Sequence, residues 1–207
     1  MSTAASSGGA KGGVPGVRQP EPVATRAGDA RDAGRKDPLI GRTINGRFTV
    51  LELIARGGMG KVYKAEQSPL GRICALKVLN PKYEGDEEPE FQRRFFLEAS
   101  TASKLTHPNT VTIFDYGRDE DIYFIAMEYV RGRTLFQLIR DDGPLSEGRV
   151  AHIVRQVARS LREAHALGVI HRDMKPANVL LLERSDEADA VKVLDFGLVK
   201  QVAEEEG

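Results

Sequence analysis

The stretch VIHRDMKPANVLLL, residues 169–182, decides how the rest of this sequence is interpreted. Asp173 and Asn178 lie five residues apart in a polar segment that precedes an apolar, strand-like run. A second apolar run, VLDFG at residues 193–197, carries another carboxylate, Asp195. These segments can present two carboxylates and an amide oxygen to one site, and a few hard oxygen ligands suit Mg²⁺ that carries substrate phosphates. We therefore expect a magnesium and phosphate site here.

A glycine-rich segment lies upstream, IARGGMGKVYKA at residues 54–65, between two strand-like runs. Glycines 57, 58 and 60 allow the backbone to approach a phosphate closely and to point N–H groups at it. No Gly-Lys-Ser/Thr opens a helix, so the segment is not a Walker loop. Taken alone it also fits an ordinary flexible hairpin turn.

Two charged residues stand at positions where apolar residues are expected. Lys77 interrupts the strand-like run ALKVL. One interpretation is that it lies at an edge of the sheet with its ammonium in solvent. The helical spacing of PEFQRRFFLEASTASKL, residues 89–105, places Glu98 on the same inward face as Phe91, Phe95, Ala102 and Leu105. A carboxylate there is costly unless a cation meets it. We expect Lys77 and Glu98 to pair, which can hold the ammonium on the α- and β-phosphates of a nucleotide.

The order of secondary structure predicts a sheet-rich half followed by a more helical half, with a crevice between them. Predicted strands cover residues 47–55, 61–67, 72–79, 109–117 and 122–130. A long helix is predicted to begin after Ser146, a plausible N-cap, and to stop at Gly168. Its apolar stripe consists of Val150, Ile153, Val154, Val157 and Leu161.

The glycine loop, strand lysine, helix glutamate, His-Arg-Asp…Asn and Asp-Phe-Gly motifs occur here in the order that is typical of one family. Residues 48–207 resemble a eukaryotic-type protein kinase, in the serine/threonine style found in bacteria. The resemblance implies an α+β, two-lobe kinase-like fold, with a complete N-lobe at residues 46–130 and a partial helical C-lobe at 131–207. Residues 1–45 are expected to form a disordered leader, because the first 40 residues are rich in Gly, Ala, Pro and Ser and contain no aromatic residue.

The resemblance also implies a function, ATP-dependent phosphoryl transfer from Mg·ATP to a protein serine or threonine hydroxyl. The catalytic group would be Lys77, Glu98, Asp173 and Lys175, with Asn178 and Asp195 as Mg²⁺ ligands. Asp173 would accept the proton of the substrate hydroxyl, and Lys175 would contact the γ-phosphate.

The resemblance further implies a set of residues around ATP: Ile54, Ala55, Arg56, Gly57, Gly58, Met59, Gly60, Val62, Ala75, Lys77, Met127, Glu128, Val130 and Leu180. Met127 would be the gatekeeper, while Glu128 and Val130 would offer backbone groups to adenine. Val62, Ala75 and Leu180 would sandwich the ring.

Two departures from the family pattern lead to further expectations. Ala55 replaces the first loop glycine, which predicts weaker but not abolished ATP binding. Ten residues follow Gly197. In the family an activation loop begins here and carries a phosphate that pairs with the arginine at position 172, and these ten residues do not contain that loop. The prediction is a C-terminally truncated chain that is weak or inactive alone. The alternatives are a nucleotide-binding, non-catalytic fragment or regulatory interaction module, and an incomplete gene product without a stable fold.

Composition limits the partners and the location that we expect. Thirty basic and thirty acidic side chains cancel, which argues against nucleic acid as a partner. No apolar stretch approaches the roughly 20 residues of a membrane span. A single cysteine, Cys74, fits a reducing compartment, and the expected location is cytoplasmic. The expected partners are a protein substrate with a Ser/Thr acceptor and a second copy that covers the apolar stripe of the long helix.

Overall fold

A computed structural model gives the structure of the chain and describes residues 37–57, 60–79, 88–183 and 188–196. These residues belong to one compact unit. Most of the predicted leader, residues 1–36, lies outside the described residues, as do Gly58, Met59 and Gly197 of the predicted motifs.

The described part of the chain contains nine strands, three α-helices and a short 3-10 helix. In chain order they are β1 Thr43–Ile44, β2 Phe48–Gly57, β3 Gly60–Gln67, β4 Arg72–Leu79, α1 Glu88–Ala102, β5 Ile113–Asp119, β6 Ile122–Glu128, β7 Gly132–Thr134, α2 Leu135–Asp142, α3 Glu147–Ala166, the 3-10 helix Pro176–Asn178, β8 Val179–Leu182 and β9 Val191–Val193. All five predicted strands and both predicted helices are present.

Six strands form an antiparallel sheet in the order β1-β2-β3-β4-β6-β5. Along β4, side chains alternate between the two faces of the sheet, as the strand period of two requires. Cys74, Leu76 and Val78 pack in one apolar cluster, while Ala75 and Leu79 pack in another cluster that includes α1. Lys77 has the same parity as this second pair, so the strand places its side chain on the α1 side.

Cys74 is fully buried in this sheet. Burial raises the pKa of its thiol to about 11, because the buried thiolate would lose its hydration. The side chain is therefore a protonated packing group at neutral pH.

The first sheet begins earlier than the predicted boundary at residue 46. Thr43 and Ile44 pair with β2, and Ile44 is fully buried, so these residues belong to the sheet and not to a leader. Asp37 precedes them and accepts hydrogen bonds from Lys61 Nζ at 2.7 Å and from Tyr63 OH at 3.0 Å. Burial alone would raise the pKa of the Asp37 carboxyl, but hydrogen bonds from Lys61, the Leu39 amide and Tyr63 outweigh it and lower the pKa. The sequence offered no apolar run at this point to reveal so short a strand.

Helix α1 packs one face against the first sheet through Phe95, Ala99 and Ala102, which are buried. The rings of Phe91 and Phe95 both meet Tyr123 of β6 edge-on, with centroids 5.2 Å and 5.1 Å away. Such edge-to-face pairs add to the stabilisation by burial. The predicted inward face is therefore confirmed, although the helix ends at Ala102.

A second, three-stranded sheet follows in the order β7-β8-β9. Strand β7 leads directly into α2, which was not predicted as a separate helix. Thr134 caps α2, since its hydroxyl accepts from the Gln137 amide while the Gln137 side chain accepts from the Thr134 amide. The Thr-x-x-Gln spacing of this capping box was available in the sequence.

Helix α3 has the predicted limits, with Ser146 at its N-cap and Gly168 past its end at φ +75°. Its predicted apolar stripe is only partly open. Ile153 is fully buried, whereas Val150 and Val154 are 43% and 55% exposed. Val157 and Leu161 pack against the apolar cluster that Ile153 shares with β8 and β9.

A buried polar network ties α3 to the loop after α1 and to β9. Gln156 accepts from the Asn109 side chain at 3.0 Å and from the Val191 amide at 2.9 Å, and donates to the Asp189 carbonyl at 2.9 Å. The hydroxyl groups of Thr110 and Ser160 lie 2.7 Å apart. These bonds satisfy groups that burial would otherwise penalise, and they hold the strand that leads to Asp195.

Among the helices that the structure describes, none is both long and apolar enough to cross a bilayer.

Candidate functional site

The Asp195 segment and the loop before β8 are joined through the backbone of one residue, Leu194. Its amide donates to the Asn178 carbonyl at 2.9 Å, and its carbonyl lies 2.8 Å from His171 Nε2. His171 is buried and its ring lies 4.8 Å from that of Phe196. Leu194 is thereby fixed beside Asn178 and beside His171, which precedes it by 23 positions in the chain.

Within the loop, Asp173 is the centre of a small group of polar contacts. Lys175 Nζ donates to Asp173 Oδ2 at 2.8 Å. The Asn178 amide nitrogen donates to the Asp173 carbonyl at 2.8 Å and approaches its carboxylate at 3.4 Å. These contacts orient the Asp173 carboxylate and leave the Asn178 amide oxygen available for another ligand.

The predicted ion pair between Lys77 and Glu98 is not the one in the structure. Lys77 Nζ donates to Asp195 Oδ1 at 2.8 Å, and Glu98 Oε1 accepts from Arg172 Nη1 at 3.2 Å. The Lys77 side chain is only 10% exposed and needs a counter-charge, which either carboxylate can supply. Asp195, with φ at +53°, lies two residues past the end of β9 and takes that position.

The described residues of the glycine-rich segment lie at the end of β2 and the start of β3. Ile54, Ala55, Arg56 and Gly57 lie at the exposed end of β2, and Gly57 pairs with Gly60. Gly60 has φ at +152°, and a β-carbon there would stand 2.1 Å from the Val78 carbonyl oxygen. Only glycine fits this close approach of β3 to β4. The departure from the loop pattern, Ala55, pairs with Val62 within the ladder.

Most of the residues expected around adenine lie together. Val62, Ala75, Met127 and Val130 belong to one apolar cluster, with Met127 paired to Ala75 across the ladder. Leu180 lies on the second sheet, in β8, and is almost fully buried. The structure thus places four of these side chains in the first-sheet cluster and Leu180 on β8.

A family model described as a protein kinase domain matches residues 48–207. The chain belongs to this family. The match includes every strand except β1, all three α-helices and every candidate site residue.

Bacterial kinases are prominent among the relatives of this kinase domain. It is 48% identical over 165 residues to the serine/threonine-protein kinase pkn3 of Myxococcus xanthus, covering 79% of this chain and 30% of the relative. It is 44% identical over 160 residues to the serine/threonine-protein kinase PrkC of Bacillus subtilis, covering 77% of this chain and 24% of the relative. The chain thus spans about a quarter to a third of the length of these curated relatives.

The fold is also similar to solved kinase structures. The crystal structure of the Mycobacterium tuberculosis PknI kinase domain matches with a TM-score of 0.67 and 37% identity, over 78% of this chain and 62% of that chain. The two-lobe α+β kinase fold is therefore confirmed.

Sequence reasoning missed one charged residue next to the site of the kinase domain, Lys192 of β9. Its side chain is only 13% exposed, and its ammonium contacts Glu128 Oε2 at 2.8 Å. The signal was the same as for Lys77, namely a lysine inside a short apolar strand.

Proposed function

We propose that this kinase domain transfers the γ-phosphoryl group of Mg·ATP to a serine or threonine hydroxyl of a protein. The observation that supports the proposal best is the hydrogen-bonded connection of Lys77, Asp195, Asn178 and Asp173. Positioning and electrostatic stabilisation supply most of the catalysis in phosphoryl transfer. A rigid group with one cation, two carboxylates and an amide suits that requirement.

The donor set fits a magnesium ion. The Asn178 amide nitrogen is held by Asp173, which leaves its oxygen free to coordinate, and Asp195 uses Oδ1 for Lys77. Hard oxygen ligands in small number suit Mg²⁺ together with phosphates. Asn178 and Asp195 would hold the ion, which when bound would supply positive charge that offsets the charge of the phosphates.

Side chains of the protein would bind the phosphates and accept the proton. Lys77 would turn its ammonium to the α- and β-phosphates, and Glu98 would exchange Arg172 for Lys77 as its partner. Lys175 would place its ammonium at the γ-phosphate, next to Asp173. Asp173 would orient the acceptor hydroxyl and take its proton as the new P–O bond forms, while the bond between the γ-phosphorus and the β–γ bridging oxygen breaks and ADP leaves.

The acceptor that we propose is serine or threonine, because Lys175 follows Asp173 by two residues and the relatives described above are named serine/threonine-protein kinases. We further propose that the domain acts in the cytoplasm, where Mg·ATP is supplied. A nucleotide-binding, non-catalytic module is the second candidate. It shares the cleft and differs only in needing no proton acceptor at residue 173.

Replacing Lys77 by Met is expected to weaken Mg·ATP binding by about 10- to 100-fold, the value of one or two charge-assisted hydrogen bonds. The side chain keeps its length and apolar stem, so the sheet should remain intact. Titration calorimetry with Mg·ATP measures the effect. Lys64→Met is a matched control, because Lys64 lies on β3 and pairs with the exposed Glu52.

Two outcomes would contradict the proposal. Equal affinity in the Lys77→Met protein would remove the lysine from the phosphate site. Folded, unchanged protein with no affinity at millimolar ATP would exclude a nucleotide cleft altogether.

We also propose that a second copy of the chain docks on the open side of α3. An apolar groove there is lined by Leu135, Ile139, Pro144, Leu145, Val150, Ile153 and Val154. Burying such side chains stabilises association by about 1.5–3 kcal/mol each.

Val154→Glu places a charge in this groove and is expected to lower the average mass measured by light scattering toward that of the monomer. Arg159→Glu, elsewhere on α3, should not, and a concentration-independent monomer of the unchanged chain would refute this docking.

A further inference from the structure

Lys192 connects three segments that meet behind the nucleotide cleft. It lies on β9, three residues before Asp195, and its neighbours Val191 and Val193 are fully buried. Its ammonium donates to Glu128 Oε2 at 2.8 Å and to the Thr110 carbonyl at 3.2 Å. One cation therefore joins β9, the end of β6 and the loop after α1.

Glu128 is held on both its backbone and its side chain. Its amide donates to the Thr112 carbonyl at 2.8 Å, and its carboxylate accepts a long bond from the Thr112 amide at 3.4 Å. Glu128 is the last residue of β6, and the connection from the first sheet to β7 starts there. The place where adenine contacts are expected, residues 128–130, thus begins at a residue that Lys192 fixes.

The base from which Lys192 projects is rigid. Strand β9 pairs with β8, bridges Thr110 through Val193, and accepts further bonds from Asn109 at the Val191 carbonyl. Thr110 is itself almost fully buried against Ser160. A lysine anchored on such a base can set the position of a more exposed segment, and Glu128 retains 31% of its side-chain exposure.

We propose that Lys192 is a positioning residue for purine recognition, which acts through Glu128 and does not touch the nucleotide. By neutralising and holding the Glu128 carboxylate, it keeps the backbone of residues 128–130 at a fixed distance from β9. This inference rests on the proposed function, because it assumes that the cleft binds a nucleotide with its base at this segment. Pre-ordering a binding segment raises affinity by removing the entropy cost of ordering it.

The test separates the base from the phosphates by using adenosine and Mg·tripolyphosphate as two probes. Lys192→Met keeps the apolar stem and removes the ammonium. We expect it to weaken adenosine binding by about 3- to 10-fold, a part of the value of a charge-assisted hydrogen bond, and to leave Mg·tripolyphosphate binding within about twofold. Lys77→Met should show the reverse pattern.

Two further variants show whether the effect passes through Glu128. Lys192→Arg should restore adenosine affinity, because a guanidinium can reach the same carboxylate. Glu128→Gln should weaken adenosine binding as Lys192→Met does, and the double variant should be no weaker than either single variant. If Lys192→Met does not fold, the comparison of Glu128→Gln with the unchanged protein carries the test.

Each other outcome overturns the inference. Unchanged or raised adenosine affinity in folded Lys192→Met would do so, as would additive losses in the double variant. An equal loss for both probes with a lowered melting temperature would show a merely structural role. Failure of the proposed function looks different, because the unchanged protein would then bind neither adenosine nor Mg·ATP.

Discussion

The Asp173→Asn variant is expected to transfer phosphate about 10²- to 10⁴-fold more slowly than the unchanged protein, the range associated with a positioned general base. An asparagine has nearly the same shape, so Lys175 and Asn178 keep a partner at this position. It cannot take up the proton of the acceptor hydroxyl. Because weak transfer is expected of this chain alone, the rate of γ-phosphoryl transfer from radiolabelled ATP to a generic serine/threonine acceptor protein is measured at high enzyme concentration.

Nucleotide affinity is the internal control for this variant. Mg·ATP binding should stay within about threefold, because the phosphate contacts that we assign are Lys77 and Lys175 and the Mg²⁺ ligands are Asn178 and Asp195. Arg133→Gln is a second control, since Arg133 is exposed and pairs with Asp142 away from the cleft. Unchanged transfer by Asp173→Asn would remove Asp173 as the proton acceptor, whereas Mg·ATP binding without any transfer by the unchanged protein would favour the non-catalytic nucleotide-binding module.

Much of the fold could be predicted because it depends on local periodicity. The alternation along β4 placed Lys77 on the same side of the sheet as α1, and the spacing of Phe95 and Ala102 defined the inner face of α1. These patterns follow from one strand or one helix alone. The strands and α-helix that were missed, β1, β7 and α2, have two, three and eight residues, and none has enough residues to show a clear period.

The partner of Lys77 could not be predicted in the same way. The sequence shows two carboxylates, Glu98 and Asp195, and two cations, Lys77 and Arg172. Each cation can pair with either carboxylate, and both arrangements neutralise all four charges. Which arrangement occurs depends on where the turn before Phe196 places Asp195 relative to β4. That placement is set by tertiary contacts of Leu194 with His171 and Asn178, which no local pattern contains.

Gly60→Ala is expected to lower the free energy of unfolding by about 3 kcal/mol, since backbone strain and overpacking each cost about 1–3 kcal/mol. The added β-carbon would stand 2.1 Å from the Val78 carbonyl oxygen, and a backbone atom cannot rotate away as a flexible side chain can. The start of β3 must therefore separate from β4. For a domain of this size the melting temperature should fall by about 6–12 °C.

Gly57→Ala is the matched control at the other side of the same hairpin. A β-carbon there would meet only the Gly60 carbonyl, at 3.8 Å, which is an ordinary contact. Its melting temperature should therefore stay close to that of the unchanged protein, although both variants add one methyl group to the glycine-rich segment. Strand β4 carries Lys77 directly opposite Val62 of β3, so separation of the two strands should also displace Lys77. The folded fraction of the Gly60 variant should therefore bind Mg·ATP more weakly than the unchanged protein does. Equal melting temperatures for the two variants would show that the close approach of β3 to Val78 relaxes at no cost.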